Sequence, residues 1–189
     1  MRVLVACEFS GTVREAFRSL GHDAWSCDVL PTLVPSKRHI RGDVRNVLHD
    51  SWDLVIAHPP CTYLTSAAAH LRNNGQRLIQ MEYAIQFVRD LWDSNEKVVI
   101  ENPTGVLSCR FRPPDQIVHP WMFGDPYMKR TCLWLKGVRK LDPTSTLTAR
   151  DSRKWILDVN ADCMRRLNRS ITFNGMAWAM AMQWGGVNL

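Results

Sequence analysis

Short apolar runs alternate with stretches of helical periodicity through the first half of the chain. Arg2 to Cys7 reads as a strand, and a break follows at Ser10-Gly11. Val13 to Leu20 then repeats apolar residues at helical spacing until Gly21 stops the helix. Ala24 to Cys27 predicts a second strand, Leu54 to Ala57 a further one, and Lys97 to Ile100 the next. Between the last two, Leu78, Ile79, Met81, Ala84, Ile85, Val88, Leu91 and Trp92 recur along Gln76 to Trp92, the clearest amphipathic helix of the sequence. Residues 29–41 carry Pro, Lys and Arg without period and predict a surface loop, followed by Gly42-Asp43-Val44 and a helical turn through Leu48. Beyond a less regular stretch after Pro113-Pro114, Thr131 to Leu135 predicts a short strand closed by Lys136-Gly137. Residues 139–170 show turns and only a weak helical pattern. Met176 to Trp184 is apolar nearly all round and predicts a buried closing helix.

Strands alternating with helices imply a mostly parallel sheet with helices on both faces, an α/β fold of the Rossmann-like class. At 189 residues the chain is the size of one domain, 1–189. With 46% hydrophobic and 22% charged residues it is neither disordered nor a coiled coil. No apolar run is long enough to span a membrane, and the N-terminus enters a strand without a leader pattern, which implies the cytosol. The six cysteines include no CxxC pair, so the expectation is reduced thiols and no metal. A formal charge of +6 favours an anionic partner, nucleic acid first among them. That charge is concentrated in Arg139, Lys140, Arg150, Arg153, Lys154, Arg165, Arg166 and Arg169, all within residues 139–170.

The chemistry-bearing positions fall at predicted strand ends. Cys7-Glu8-Phe9-Ser10-Gly11-Thr12 leads from a strand into a helix, where a glycine admits a ligand close to free backbone N–H groups, although a full G-x-G-x-x-G is missing. Asp28 ends the second strand, in the position from which an acid accepts ribose hydroxyls, and Asp43 follows the third strand end. Pro59-Pro60 cannot continue a central strand, so the chain leaves the sheet there and exposes Cys61. Glu101-Asn102-Pro103 ends the next buried run, where burial is expected to raise the Glu101 carboxyl. Parallel strands would bring Cys61 and Glu101 to one edge, a thiol and an acid suited to nucleophilic addition with acid assistance.

These residues, in this order, resemble the cytosine 5-methyltransferase family in its small bacteriophage or prophage form. Phe9-Ser10-Gly11 resembles the cofactor turn, Asp28 and Asp43 the two cofactor acids, Pro60-Cys61 the nucleophile motif and Glu101-Asn102 the Glu-Asn motif. Phe123-Gly124-Asp125-Pro126 is similar to a Tyr-Gly-x-Pro stretch, Lys129-Arg130-Thr131 stands where the family has Arg-x-Arg, and Asn174-Gly175 resembles the segment returning to the cofactor pocket. Val13 stands in place of a turn glycine and Thr62 in place of a glutamine. Lys129 and Thr131 cannot reproduce a guanidinium fork on the target base. Residues 139–170 form a short basic insert where relatives with defined target sequences carry a long recognition region.

The resemblance implies a class I S-adenosylmethionine-dependent methyltransferase fold and methylation of cytosine at carbon 5 in DNA. Cys61, Glu101, Asn102, Lys129 and Thr131 would be catalytic, while Phe9, Ser10, Gly11, Asp28, Asp43, Pro60, Asn174 and Gly175 would hold S-adenosylmethionine. The basic residues of 139–170 would hold the phosphates of DNA, with little sequence preference. Three alternatives remain open from the residues: the same chemistry on a free cytosine nucleotide or with a different transferred group, a catalytically idle nucleic-acid-binding module, and an amino-methyltransferase in which His58-Pro59-Pro60-Cys61 stands for Asp-Pro-Pro-Tyr.

Overall fold

The computed structural model describes residues 1–66, 75–154 and 170–186; Arg165, Arg166 and Arg169, the Lys154 side chain and the rest of the basic insert over 155–169 lie outside the described residues. Strands β1 (Arg2–Ala6), β2 (Asp23–Asp28), β3 (His39–Arg41), β4 (Leu54–Ala57) and β5 (Val98–Pro103) run parallel. With β6 (Gln116–Val118) and β8 (Thr131–Lys136) they form one sheet in the order β3-β2-β1-β4-β5-β8-β6. Only β8 is reversed, since it pairs antiparallel with both β5 and β6. A separate two-stranded sheet joins β7 (Tyr127–Met128) to β9 (Arg153–Lys154). The helices are α1 (Thr12–Ser19), α2 (Gly75–Asp93), the single turn α3 (Leu107–Arg110) and α4 (Asn174–Trp184).

Period-two alternation divides the strand residues between two apolar layers. Val3, Val5, Leu54, Ile56, Val99 and Leu133 face α1 and α4, packing on Val13, Phe17, Met176 and Met180. Leu4, Ala6, Val55, Ala57, Val98, Ile100 and Trp134 face the other way, onto Met81, Ile85, Val88 and Leu91 of α2 and Leu107 of α3. Burial on both faces explains why the central strands read as unbroken apolar runs.

The predicted elements recur with several differences, among them the short elements α3, β6, β7 and β9 that the sequence did not indicate. Residues 39–41 are a strand rather than loop, because Ser26, Cys27 and Asp28 offer a free edge on which His39, Ile40 and Arg41 pair; a three-residue edge strand needs no apolar pattern of its own. β5 extends past Ile100 to Pro103, since its partner β8 continues the ladder to the pair Pro103 and Thr131. Leu78 and Ile79, expected in the core, are 43% and 55% exposed; the buried stripe of α2 begins only at Met81. Likewise α4 is buried along most of its surface but presents Trp178 outward.

Among the described residues no helix is long and apolar enough to cross a membrane. Truncating Phe17, fully buried between α1 and the sheet, is expected to cost about 3–5 kcal/mol in urea denaturation, whereas Trp178→Ala on the outer face of α4 should stay within about 1 kcal/mol.

Candidate active site

The segment after β4 is built by bonds to its neighbours. The His58 amide donates to the Ala6 carbonyl at 2.9 Å, the last rung before Pro59-Pro60 leaves the sheet. Cys61 then opens a turn whose carbonyl accepts from Leu64 N at 3.0 Å and Thr65 N at 2.9 Å, and its side chain is exposed. The turn lies on the segment after β5: Ser66 N donates to Thr104 O, Val106 N to Leu64 O, and Thr65 bridges Gly105. A Cβ on Gly105 would collide with the Leu64 carbonyl, so glycine is required there. The buried Asn102 side chain completes the join, Nδ2 donating to Pro59 O at 2.7 Å. The contact the structure gives Asn102 is thus one of loop support.

Ala57 and Ile100 are register partners, so His58 and Glu101 follow abreast. His58 Nδ1 lies 3.3 Å from Glu101 Oε2, with both side chains mostly buried. Burial alone would push the Glu101 carboxyl up, but the His58 hydrogen bond and the Lys129 and His58 charges outweigh it and hold the carboxyl below its ordinary range. This corrects the expectation of a raised acid: Glu101 is poised as a carboxylate because its neighbours, not its burial, decide. The Nε2 of His58 and Oδ1 of Asn102 are buried without hydrogen-bond partners in the described structure.

A second acid, Glu8, went unassigned in the sequence. It is buried in the β1–α1 turn, where it accepts from Val13 N at 2.6 Å, Arg14 N at 3.2 Å and Ser10 Oγ at 3.2 Å, capping α1. Burial raises its carboxyl, with the His58 charge and these bonds offsetting only part of the effect. Its signal was an acid directly before Phe9-Ser10-Gly11 at a helix start. Gly11 precedes the helix at φ +79°, and a Cβ there would press on the buried Arg14 guanidinium.

At the carboxyl ends of β1 to β4 opens a cavity of about 380 Å³, lined among others by Asp28, Asp43, Pro60, Tyr63, Tyr83 and Phe87. Its size lies within the roughly 300–1,000 Å³ of small-molecule pockets. Asp28 accepts from Leu30 N at 2.8 Å, and burial raises its carboxyl. Asp43 is held low by the Arg45 guanidinium, which bonds it at 2.6 Å. Three of the expected cofactor positions, Asp28, Asp43 and Pro60, therefore share one wall. Phe9, Ser10 and Gly11 do not line this cavity: Phe9 and Ser10 are buried in the turn below it. Asn174 and Gly175 do not line it either; they start α4, where Gly175 N donates to Asp125 Oδ2 at 2.9 Å.

Lys129 acts on Glu101 electrostatically and has its ammonium 5.7 Å from the Phe173 ring. Thr131 is buried, and its hydroxyl donates to Lys129 O at 3.4 Å, so it supports the strand end rather than opening on the edge. The basic segment is divided. β8 runs from Thr131 beside Pro103 to Lys136 beside Val98, a span of roughly 16 Å at strand rise. Arg139 and Lys140 follow it, and Arg139 lines a crevice with Met1, Leu54 and Lys97 at the amino edge of the sheet. They are not brought to Cys61. Arg150 is exposed in a turn capped by Thr148, while Arg153 lies on β9 with its guanidinium 3.0 Å from the Tyr127 hydroxyl. Tyr127 belongs to the β7 segment that leads into Lys129.

No known protein family and no curated protein matches this sequence.

Asn102→Ala leaves the Pro59 carbonyl unpaired and is expected to cost about 1–3 kcal/mol, with faster amide exchange at Leu64 and Thr65 as the local readout. A carboxyl held below 4.5 in the fold contributes stability that is present above that value and lost as pH falls through the lower folded one. Acidification from pH 7 to pH 3 should therefore lower the urea midpoint of the wild type more than that of Glu101→Gln.

Proposed function

We propose that this chain is an S-adenosylmethionine-dependent cytosine 5-methyltransferase acting on DNA with little sequence preference. The observation that carries the reading is that the segments bearing Cys61 and Glu101 leave the carboxyl ends of neighbouring parallel strands and are tied together by the Asn102–Pro59 and His58–Glu101 contacts. The sheet order supports a class I methyltransferase fold: it begins 3-2-1-4-5, as in doubly wound nucleotide-binding sheets, and then inserts the reversed β8.

The cavity fits the adenosyl part of the cofactor. Asp28 would accept the ribose hydroxyls, Asp43 the adenine amine in competition with Arg45, and Tyr63, Phe87 and Pro60 would enclose the ring. When bound, S-adenosylmethionine supplies an electrophilic methyl group. Pro60 belongs to the cavity wall, and Cys61 is the next residue, so a base over Cys61 would stand beside that methyl.

Carbon 5 of cytosine is a poor nucleophile. Addition of the Cys61 sulfur to carbon 6 makes carbon 5 electron-rich, and Glu101 at the N3 and amino edge of the ring stabilises the charge that develops. A base in duplex DNA must leave the stack to reach this edge. Arg150 and Arg153 are the described members of the basic segment on elements other than the far edge, and they would meet the phosphates. The jobs that Glu101 and Asn102 hold around the Pro59-Pro60-Cys61 turn favour this chemistry over amino-group methylation, which leaves both without a role.

Purified protein with methyl-labelled S-adenosylmethionine is expected to transfer label to carbon 5 of cytosine in DNA and not to dCMP, and Cys61→Ser should abolish the transfer. Label on dCMP alone would move the substrate to the free nucleotide; no label on single- or double-stranded DNA or dCMP would reject the reading.

A further inference from the structure

Among the described residues His58 is the imidazole beside the two buried acids, and both act on it. It follows β4 directly, tied by its amide to the end of β1, with its side chain 92% buried and Nδ1 on Glu101. Its charge also acts on Glu8, which is fixed in the adjacent turn by bonds from Ser10, Val13 and Arg14. On Glu101 the other cation is Lys129, arriving from the β7–β8 connection; on Glu8 it is Arg14 of α1; Cys132 of β8 feels the Glu101 charge. Nε2 of His58 is buried and unpartnered. Leaving a buried ring nitrogen unpaired carries a desolvation cost, which a plain strand-end residue would not need to bear. A strut for Glu101 could equally have been an amide or a hydroxyl.

We infer that His58 holds the proton that Glu101 passes to N3 of the target cytosine, making His58 a positioning and proton-storing residue behind the acid. The inference rests on the methyltransferase reading. In the proton-loaded state of this proposal the pair is an imidazolium and a carboxylate sharing the Nδ1 proton. The Cys61 thiolate forms the sulfur–carbon 6 bond, the carbon 5–carbon 6 π pair moves to carbon 4–carbon 5, and the carbon 4–N3 π pair moves onto N3. N3 takes a proton from Glu101, which takes the Nδ1 proton from His58. The products are a neutral imidazole, a carboxylate and a neutral adduct, so one negative charge is conserved. After methylation, loss of the carbon 5 proton to solvent and expulsion of the thiolate leave N3 protonated, and that proton returns through Glu101 to His58. The pair thus begins and ends each turnover in one state. A Lys129 ammonium near Glu101 favours the carboxylate form between transfers.

The test is the rate of covalent adduct formation with 5-fluorocytosine DNA, followed against pH in the full-length protein. The wild type should give a bell: a rising limb as the Cys61 thiolate forms and a falling limb as the His58 proton is lost. His58→Gln keeps an N–H donor for Glu101 but cannot release a proton, so adduct formation should fall about 10²–10⁴-fold and the falling limb should disappear, with DNA affinity unchanged. His58→Ala with added imidazole should recover part of the rate. A wild-type profile that only rises with pH overturns the inference whether or not either variant folds, and so does a His58→Gln profile that keeps both limbs within threefold of the wild-type rate. In both cases the methyltransferase reading survives, because adduct still forms; a wild type that forms no adduct at any pH removes that reading and this inference together.

Discussion

The Asn102 amide and the Pro59 carbonyl meet across 2.7 Å, and that bond ties the segment leading to the exposed thiol onto β5. Pro59 and Pro60 offer no N–H to the sheet, so the chain beyond β4 cannot be positioned by ladder bonds. A buried side chain from β5 substitutes for the lost rung. A typical hydrogen bond contributes only about 1 kcal/mol net, but an unpaired buried carbonyl costs more than that. The loop therefore has one low-energy seat, and the bonds from Ser66, Val106 and the Thr65–Gly105 bridge hold the turn to the same neighbour.

The same two strand ends build an electrostatic contrast. Glu8 and Glu101 are both acids withdrawn from water, yet their carboxyls move in opposite directions. Against its burial Glu8 has the His58 charge, the amide donors of its own helix start and the Arg14 charge, and together these do not outweigh desolvation. Glu101 has that imidazole as a direct hydrogen-bond partner and the Lys129 charge besides, and those do. One imidazole influences both, which couples the turn after β1 to the end of β5. Because β1 and β4 are adjacent in the sheet, that coupling needs no long-range path.

Surface charge follows the direction of β8 rather than the order of residues. An antiparallel strand carries its far end away from the carboxyl edge, so Arg139 and Lys140 emerge on the opposite side from Cys61, and the later return through β9 brings Arg153 next to Tyr127. Among the described residues, a cluster that is contiguous along the chain is thus divided in space.

The alternation of buried strands and helices, the break at Pro59-Pro60, and acids at successive strand ends were legible in the residues, because apolar period and proline's missing donor act locally. So was the placing of the segments that carry Cys61 and Glu101 at the ends of neighbouring parallel strands. The tertiary structure alone decided the rest. The three-residue strand β3 exists because β2 offers it an edge; the direction of the Glu101 titration depends on His58 and Lys129, which are 43 and 28 positions away in the chain; and Glu8 became part of the site only when β1 and β4 lay side by side. Periodicity and turn chemistry are written over a few residues, whereas a pKa, an edge pairing or the division of a charge cluster depends on distances between groups that only the folded chain brings together.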